Sequence, residues 1–228
     1  MKPPLNGSQS TTNQLNNWSD CEVFRAESTW GQTYPSYTLE MFNFATTNVS
    51  SFLDLACGFG RFLEFLTKKV EEPNYIGYDS SNAMVSRISE RFPEYKNNIF
   101  LQNITSPIFH KQESIIISAV FIHITTKDQQ EILTNLSNIS KEVKKITFDI
   151  NSPCEKEISR VFSPEKDHYE RYIKTSKDSQ AKFRMTWQSH YSMTEKILTM
   201  FPDFNLNISF HDLKAGRHKV LYMLERRN

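Results

Sequence analysis

The run Asp54-Leu55-Ala56-Cys57-Gly58-Phe59-Gly60 joins a short apolar stretch to an amphipathic one through a turn of small residues. Gly58 and Gly60 can adopt positive φ and carry no Cβ, so a ligand can lie against backbone N–H groups there. The chemistry suggested is the cradling of a nucleotide-like cofactor, which also needs an acid to read a ribose. Asp79 stands about 20 residues beyond the glycines, where such an acid belongs. Its carboxylate can accept hydrogen bonds from two vicinal hydroxyls; the alternative is that it caps a helix opening with Ser80-Ser81-Asn82.

The elements that must position these residues read as alternating runs. Ser51 to Leu55 is a buried strand, and Arg61 to Val70 is a helix whose Phe62, Leu63, Phe65 and Leu66 form one apolar face. Asn74 to Tyr78 is a second strand and Ser80 to Phe92 a second helix; Ile99 to Gln102 and Ser114 to Ser118 are the next strands. A helix at Lys127 to Ser140 and a strand at Lys145 to Ile150 complete five strands alternating with helical segments. This order predicts an α/β fold with a doubly wound, mostly parallel sheet and right-handed crossovers. Asp203 to Phe210 alternates apolar and polar residues, and Lys219 to Leu224 follows the turn Lys214-Ala215-Gly216-Arg217, which predicts a hairpin.

Two phosphate-binding turns are excluded by spelling. A dinucleotide loop needs a third glycine where Leu63 stands, and no Gly-Lys-Ser/Thr ending makes a P-loop. The order acid, apolar, small, x, Gly, x, Gly instead resembles motif I of the class I S-adenosylmethionine-dependent methyltransferases, with Ala56 in place of the commonest first glycine. The resemblance covers Ser51 to Leu224. It implies a Rossmann-like seven-stranded sheet with an antiparallel C-terminal hairpin, and S-adenosyl-L-methionine as cofactor. Cofactor contacts are implied at Trp30, Asp54, Ala56, Cys57, Gly58, Gly60, Asp79, Ser80 and Met84, and again at Asn103, Ile104, Ser118, Ala119 and Phe121. Asn103 stands where the family pattern usually has an Asp bonding the adenine amino group. An Asn carbonyl can accept the same bond, or it can fold back on its own backbone in an Asx turn.

A methyl group on a sulfonium is already activated, so the residues must align an acceptor behind it, exclude water and, for some acceptors, remove a proton. His123, in Ala119-Val120-Phe121-Ile122-His123 after the fourth strand, is the first candidate base; His190 and Tyr191 come second and His168 third. A His here can equally hold the loop backbone in shape. The Asn/Asp-Pro-Pro-aromatic signature of amino-group methyltransferases is missing after the fourth strand, and Cys154 lacks the partner motif of a cytosine-C5 nucleophile. With 27 Lys+Arg against 26 Asp+Glu, the net charge of +1 gives no attraction to nucleic acid or anionic membranes. A small-molecule acceptor is therefore expected. A methyltransferase for RNA or protein, and a non-catalytic S-adenosylmethionine-binding module, stay open as alternatives.

The 228 residues suit a single domain, 18–228, behind a disordered tail at 1–17 that is rich in Asn, Gln, Ser, Thr and Pro. The resemblance implies that residues 18–50 cap the cofactor, the alternative being that Trp30 and Tyr34 simply pack a helix on the sheet; 151–201 is expected to form a substrate-side insertion whose Glu155 to Lys182 stretch reads as a charged helical run. Cys21, Cys57 and Cys154 have no metal-ligand spacing, and their odd number suits a reduced, cytoplasmic setting. No apolar stretch is long enough to span a membrane, and several of the Asn-x-Ser/Thr triplets, such as Asn103-Ile104-Thr105, fall on expected buried strands or at the cofactor site, so chance in an Asn-rich chain explains them better than glycosylation. Oligomeric state has no signature in the sequence.

Overall fold

The computed structural model describes residues 34–153, 168–174, 182–213 and 217–227. After Pro35 comes helix α1 (Ser36–Thr46), then strand β1 (Ser51–Leu55), which is buried at every position. Helix α2 (Arg61–Thr67) is shorter than the expected Arg61 to Val70. Lys69 and Val70 both donate to the Leu66 carbonyl, which tightens the chain into the turn toward β2 (Asn74–Asp79). Helix α3 (Asn82–Arg91) is capped by the Ser81 hydroxyl, which accepts from Met84 N–H, and Pro93 follows its end. Strands β3 (Ile99–Leu101) and β4 (Ser114–Ile117) come next. Helix α4 (Thr126–Ile139) opens with a reciprocal Thr125–Asp128 capping box, a strong local stop-and-start signal.

Strand β5 runs Lys145–Pro153, beyond the expected end at Ile150. Asn151 and Ser152 carry no apolar signal; they are strand because they pair with Lys219 and His218 of the final strand. In the insertion, β6 (His168–Lys174) and β7 (Lys182–Gln188) pair antiparallel. This corrects the helical reading of that stretch within the described residues. Its Tyr and Ile residues favour extended chain, and pairing with β7, the next strand along the chain, overrides the charge pattern. Helix α5 (His190–Met200) leads to β8 (Phe204–Leu213) and β9 (Arg217–Arg226), the expected hairpin.

The seven-stranded sheet has the order β3-β2-β1-β4-β5-β9-β8, parallel through β5 and antiparallel in β9 and β8. Alternate side chains divide the core. Leu53, Ile115, Ile117, Phe148 and Tyr222 pack toward α4 and α5, while Phe52, Ile116 and Leu221 pack toward α1, α2 and α3. Each such side chain stabilises the fold by about 1.5–3 kcal/mol relative to exposure. The strand order reverses between β1 and β4, so the loops after these two strands diverge and leave a crevice at their carboxyl ends. Among the described residues, no helix is long and apolar enough to cross a membrane.

Candidate active site

The first wall of the crevice is the turn after β1. Ala56, Gly58 and Gly60 all have positive φ, at 62°, 54° and 89°. Ala56 holds a left-handed conformation that costs an L-residue roughly 1–2 kcal/mol, which accounts physically for glycine being the commoner choice. The two glycines differ in purpose. No atom lies within 4 Å of where a Cβ on Gly58 would sit, so this glycine keeps space open. A Cβ on Gly60 would meet Ile88 and Phe92 at 2.9 Å, so that glycine lets α3 pack close to the turn.

Asp79 closes the turn from β2. Its Oδ2 accepts from Gly58 N–H at 2.9 Å and its Oδ1 from Ser81 N–H at 2.8 Å. Ser81, not Asp79, supplies the side-chain cap of α3. Burial raises the Asp79 pKa, against the pull of the Ser81, Gly58 and Ser80 backbone donors. Asp54, also buried, accepts from the Tyr75 hydroxyl at 3.1 Å. Burial first, and then the neighbouring Asp79 charge, push it up to about 7 despite that hydrogen bond. The Cys57 thiol is pushed up by burial as well, which keeps it protonated and inert.

The second wall follows β4. Ala119, at φ 59°, donates its N–H to Asp149 Oδ1 at 2.6 Å, and Asp149 Oδ2 meets Lys219 Nζ at 2.5 Å in a buried ion pair. The segment beyond is held from outside: Gln129 donates to the Phe121 carbonyl, and Thr186 donates its N–H to Ile122 and its hydroxyl to Ile124. Loop 119–124 is thereby tied to both α4 and β7.

The sheet order, the small-residue turn and the acid at the end of β2 are thus all in place, and residues 52–142 match the family described as a methyltransferase domain. That match spans less than half of the chain. No curated protein matches the sequence. Among solved structures, a S-adenosylmethionine-dependent methyltransferase from Clostridium acetobutylicum is similar at 18% identity, with TM-score 0.56, over 90% of this chain and 97% of that one. Magnesium protoporphyrin IX methyltransferase from Synechocystis with bound S-adenosylmethionine has TM-score 0.62 at 14% identity, over 97% and 100%. A glycopeptide N-methyltransferase complexed with S-adenosylmethionine has TM-score 0.57 at 13% identity, over 82% and 92%. At these identities the likeness speaks for the fold.

The crevice is lined by Asp54, Ala56, Cys57, Gly58, Asp79 and Ser80, with Met84, Ser118, Ala119 and His123 completing the predicted residues on its wall. Gly60, Asn103, Ile104 and Phe121 lie off that wall. Asn103 Oδ1 is engaged by Thr105 N–H and hydroxyl at 3.0 and 3.1 Å, the Asx-turn alternative, while Ile104 and Phe121 are core residues. His190 is buried with its Nδ1 at 3.1 Å from the Ser152 hydroxyl, and Tyr191 is exposed; neither lines the crevice. Trp30 lies outside the described residues, as do the tail, residues 18–33 of the expected cap and Cys154.

Sequence reasoning missed Phe42, Phe59, Arg61, Phe62 and Val120 on the same wall. Arg61 had a signal, since it directly follows the turn. Also missed was a second cavity of about 260 Å³, which shares Arg61, Ser118, Ala119 and His123 with the crevice and adds Tyr37, Thr38, Ile122, Asp149 and Lys219. Its signal was the charge in two otherwise apolar strands, Asp149 after Phe148 and Lys219 before Val220.

Proposed function

We propose that this chain is a class I S-adenosylmethionine-dependent methyltransferase that moves a methyl group from S-adenosylmethionine to a small-molecule acceptor seated in the second cavity. The observation that carries this reading is the shared wall: four residues face both spaces, so a donor in the crevice and an acceptor in the cavity would meet beside His123. The cavity's modest volume suits a small body, and the net charge of +1 supplies no field for a polyanion. Magnesium protoporphyrin IX methyltransferase, named for a small-molecule substrate, is among the proteins of similar fold.

The residues fit the cofactor. The carboxylate of Asp79 has acceptor positions beyond the two filled by Gly58 and Ser81, enough for ribose hydroxyls, and the space at Gly58 admits a nucleoside against the backbone. Asp54 places an acid on the wall where a cationic donor would sit. When bound, the cofactor supplies a methyl group activated by its sulfonium charge. The chain's part is mainly positioning, which can contribute ~7–11 kcal/mol when reacting atoms are pre-aligned. Loop 118–124, fixed by Asp149, Gln129 and Thr186, sets the acceptor's distance. His123 is the candidate proton acceptor because it lines both spaces, whereas His190 and Tyr191 line neither. The buried free Cys57 thiol suits a reducing, cytoplasmic setting.

The test is incubation of the purified chain with methyl-labelled S-adenosylmethionine and a metabolite extract. Label in a low-mass product is expected. Label confined to RNA or protein would refute the small-acceptor reading, and tight cofactor binding without labelling of any extract would refute catalysis.

A further inference from the structure

The crevice and second cavity meet at a guanidinium that makes no ion pair among the described residues. Arg61 lines both spaces, and its Nε and Nη2 are shielded from water with no hydrogen-bond partner among the described residues. These two atoms form one edge of the fork, the edge that grips a carboxylate through two parallel bonds. Leaving such donors unmet in a buried setting is unfavourable, more so for a charged group. The other charges nearby are already matched. Lys219 is paired with Asp149, and Glu64 is taken by Lys68 and Arg91. The Tyr34 ring lies against the guanidinium at 5.3 Å, and Tyr37 and Ile122 give the cavity apolar surface.

Resting on the small-acceptor reading of this cavity, we propose that the acceptor is a carboxylic acid whose carboxylate is gripped side-on by Arg61 while its apolar body lies against Tyr37 and Ile122. The grip requires the fork to turn from Tyr34 toward the cavity it already lines. Arg61 would thus select acid-bearing acceptors and place their nucleophilic atom relative to His123. The cofactor's own amino-acid carboxylate presents the same chemistry, so the test must separate the two sources.

The full chain, saturated with S-adenosylhomocysteine, is titrated calorimetrically with benzoate, octanoate and benzamide, the last a neutral counterpart of benzoate. At least one acid should bind, benzamide about tenfold or more weaker than benzoate, and Arg61→Met should weaken the acid by about tenfold or more, the loss of a charge-assisted pair. Arg61→Lys should recover part of that affinity, and thermal unfolding checks that both variants fold. Affinity for S-adenosylhomocysteine should change little in either. If instead Arg61→Met loses S-adenosylhomocysteine but keeps 5′-methylthioadenosine, which lacks the carboxylate, Arg61 serves the donor and the proposal is overturned. It is equally overturned if neither acid binds or if benzamide matches benzoate. Failure of S-adenosylhomocysteine to bind the natural chain would instead overturn the methyl-donor reading itself.

Discussion

Asp79→Ala separates two jobs that one carboxylate can do. In the structure it accepts from Gly58 and Ser81, so its loss leaves two backbone donors unmet and slackens the turn; in the proposed complex it also accepts from ribose hydroxyls. Hydrogen bonds to an ionised acceptor contribute about 1.5–3 kcal/mol, so the variant should bind S-adenosylhomocysteine about 10- to 150-fold more weakly. Slackening of the turn would weaken any adenosyl ligand, whereas lost ribose contacts weaken only ligands that have the hydroxyls. Calorimetry is therefore run on both proteins with S-adenosylhomocysteine and with an analogue lacking the 2′ and 3′ hydroxyls. The substitution should weaken the analogue much less than S-adenosylhomocysteine, the shared loss being that of the slackened turn. An equal loss for both ligands would refute ribose recognition and leave Asp79 as the clasp of the Gly58 turn; no loss for either would refute a ligand role outright.

Two further predictions concern what holds the walls in place. Lys219→Met strands the buried Asp149 carboxylate, which keeps only the Ala119 N–H, and should lower unfolding free energy by about 3 kcal/mol in urea titration, the scale of a broken buried pair. A loss under about 1 kcal/mol would mean that the pair does not hold the second wall. Glu113 bonds Lys144 and both the N–H and hydroxyl of Ser50, which pull its carboxyl from 4.5 down to about 2. A depressed carboxylate stabilises the fold above its unfolded pKa, and that contribution fades as pH falls from about 4.5 through about 2. Glu113→Gln should thus cost about 1 kcal/mol at neutral pH, discounted for partial exposure, with the gap to the natural chain closing in acid. A gap independent of pH would show that the charge plays no part.

Much of the first wall was legible because its signals are local. Strand β1, the positive-φ turn and the acid ending β2 follow one another in sequence, and each is written in residue type: apolar run, glycine, carboxylate. The capping serine of α3 and the Thr125–Asp128 box likewise act over three residues and fix their helices without outside help. Side-chain direction was harder. Ser118 and Ala119 reach the crevice, but two positions later Phe121 turns into the core against Phe148, because positive φ at Ala119 and the bond from Gln129 reorient the loop.

The sequence by itself determined the parallel α/β class, the terminal hairpin and the donor-side turn, since periodicity and turn chemistry depend on neighbours along the chain. Tertiary structure alone decided the second cavity. Asp149 and Lys219, 70 residues apart, become a buried pair only when β5 and β9 align, and β6 becomes strand only by pairing with β7. Among the described residues Arg61 makes no ion pair, because the nearby acids Glu64 and Asp149 bind other cations. Pairing register and charge balance between distant segments are set by packing, which no local pattern encodes.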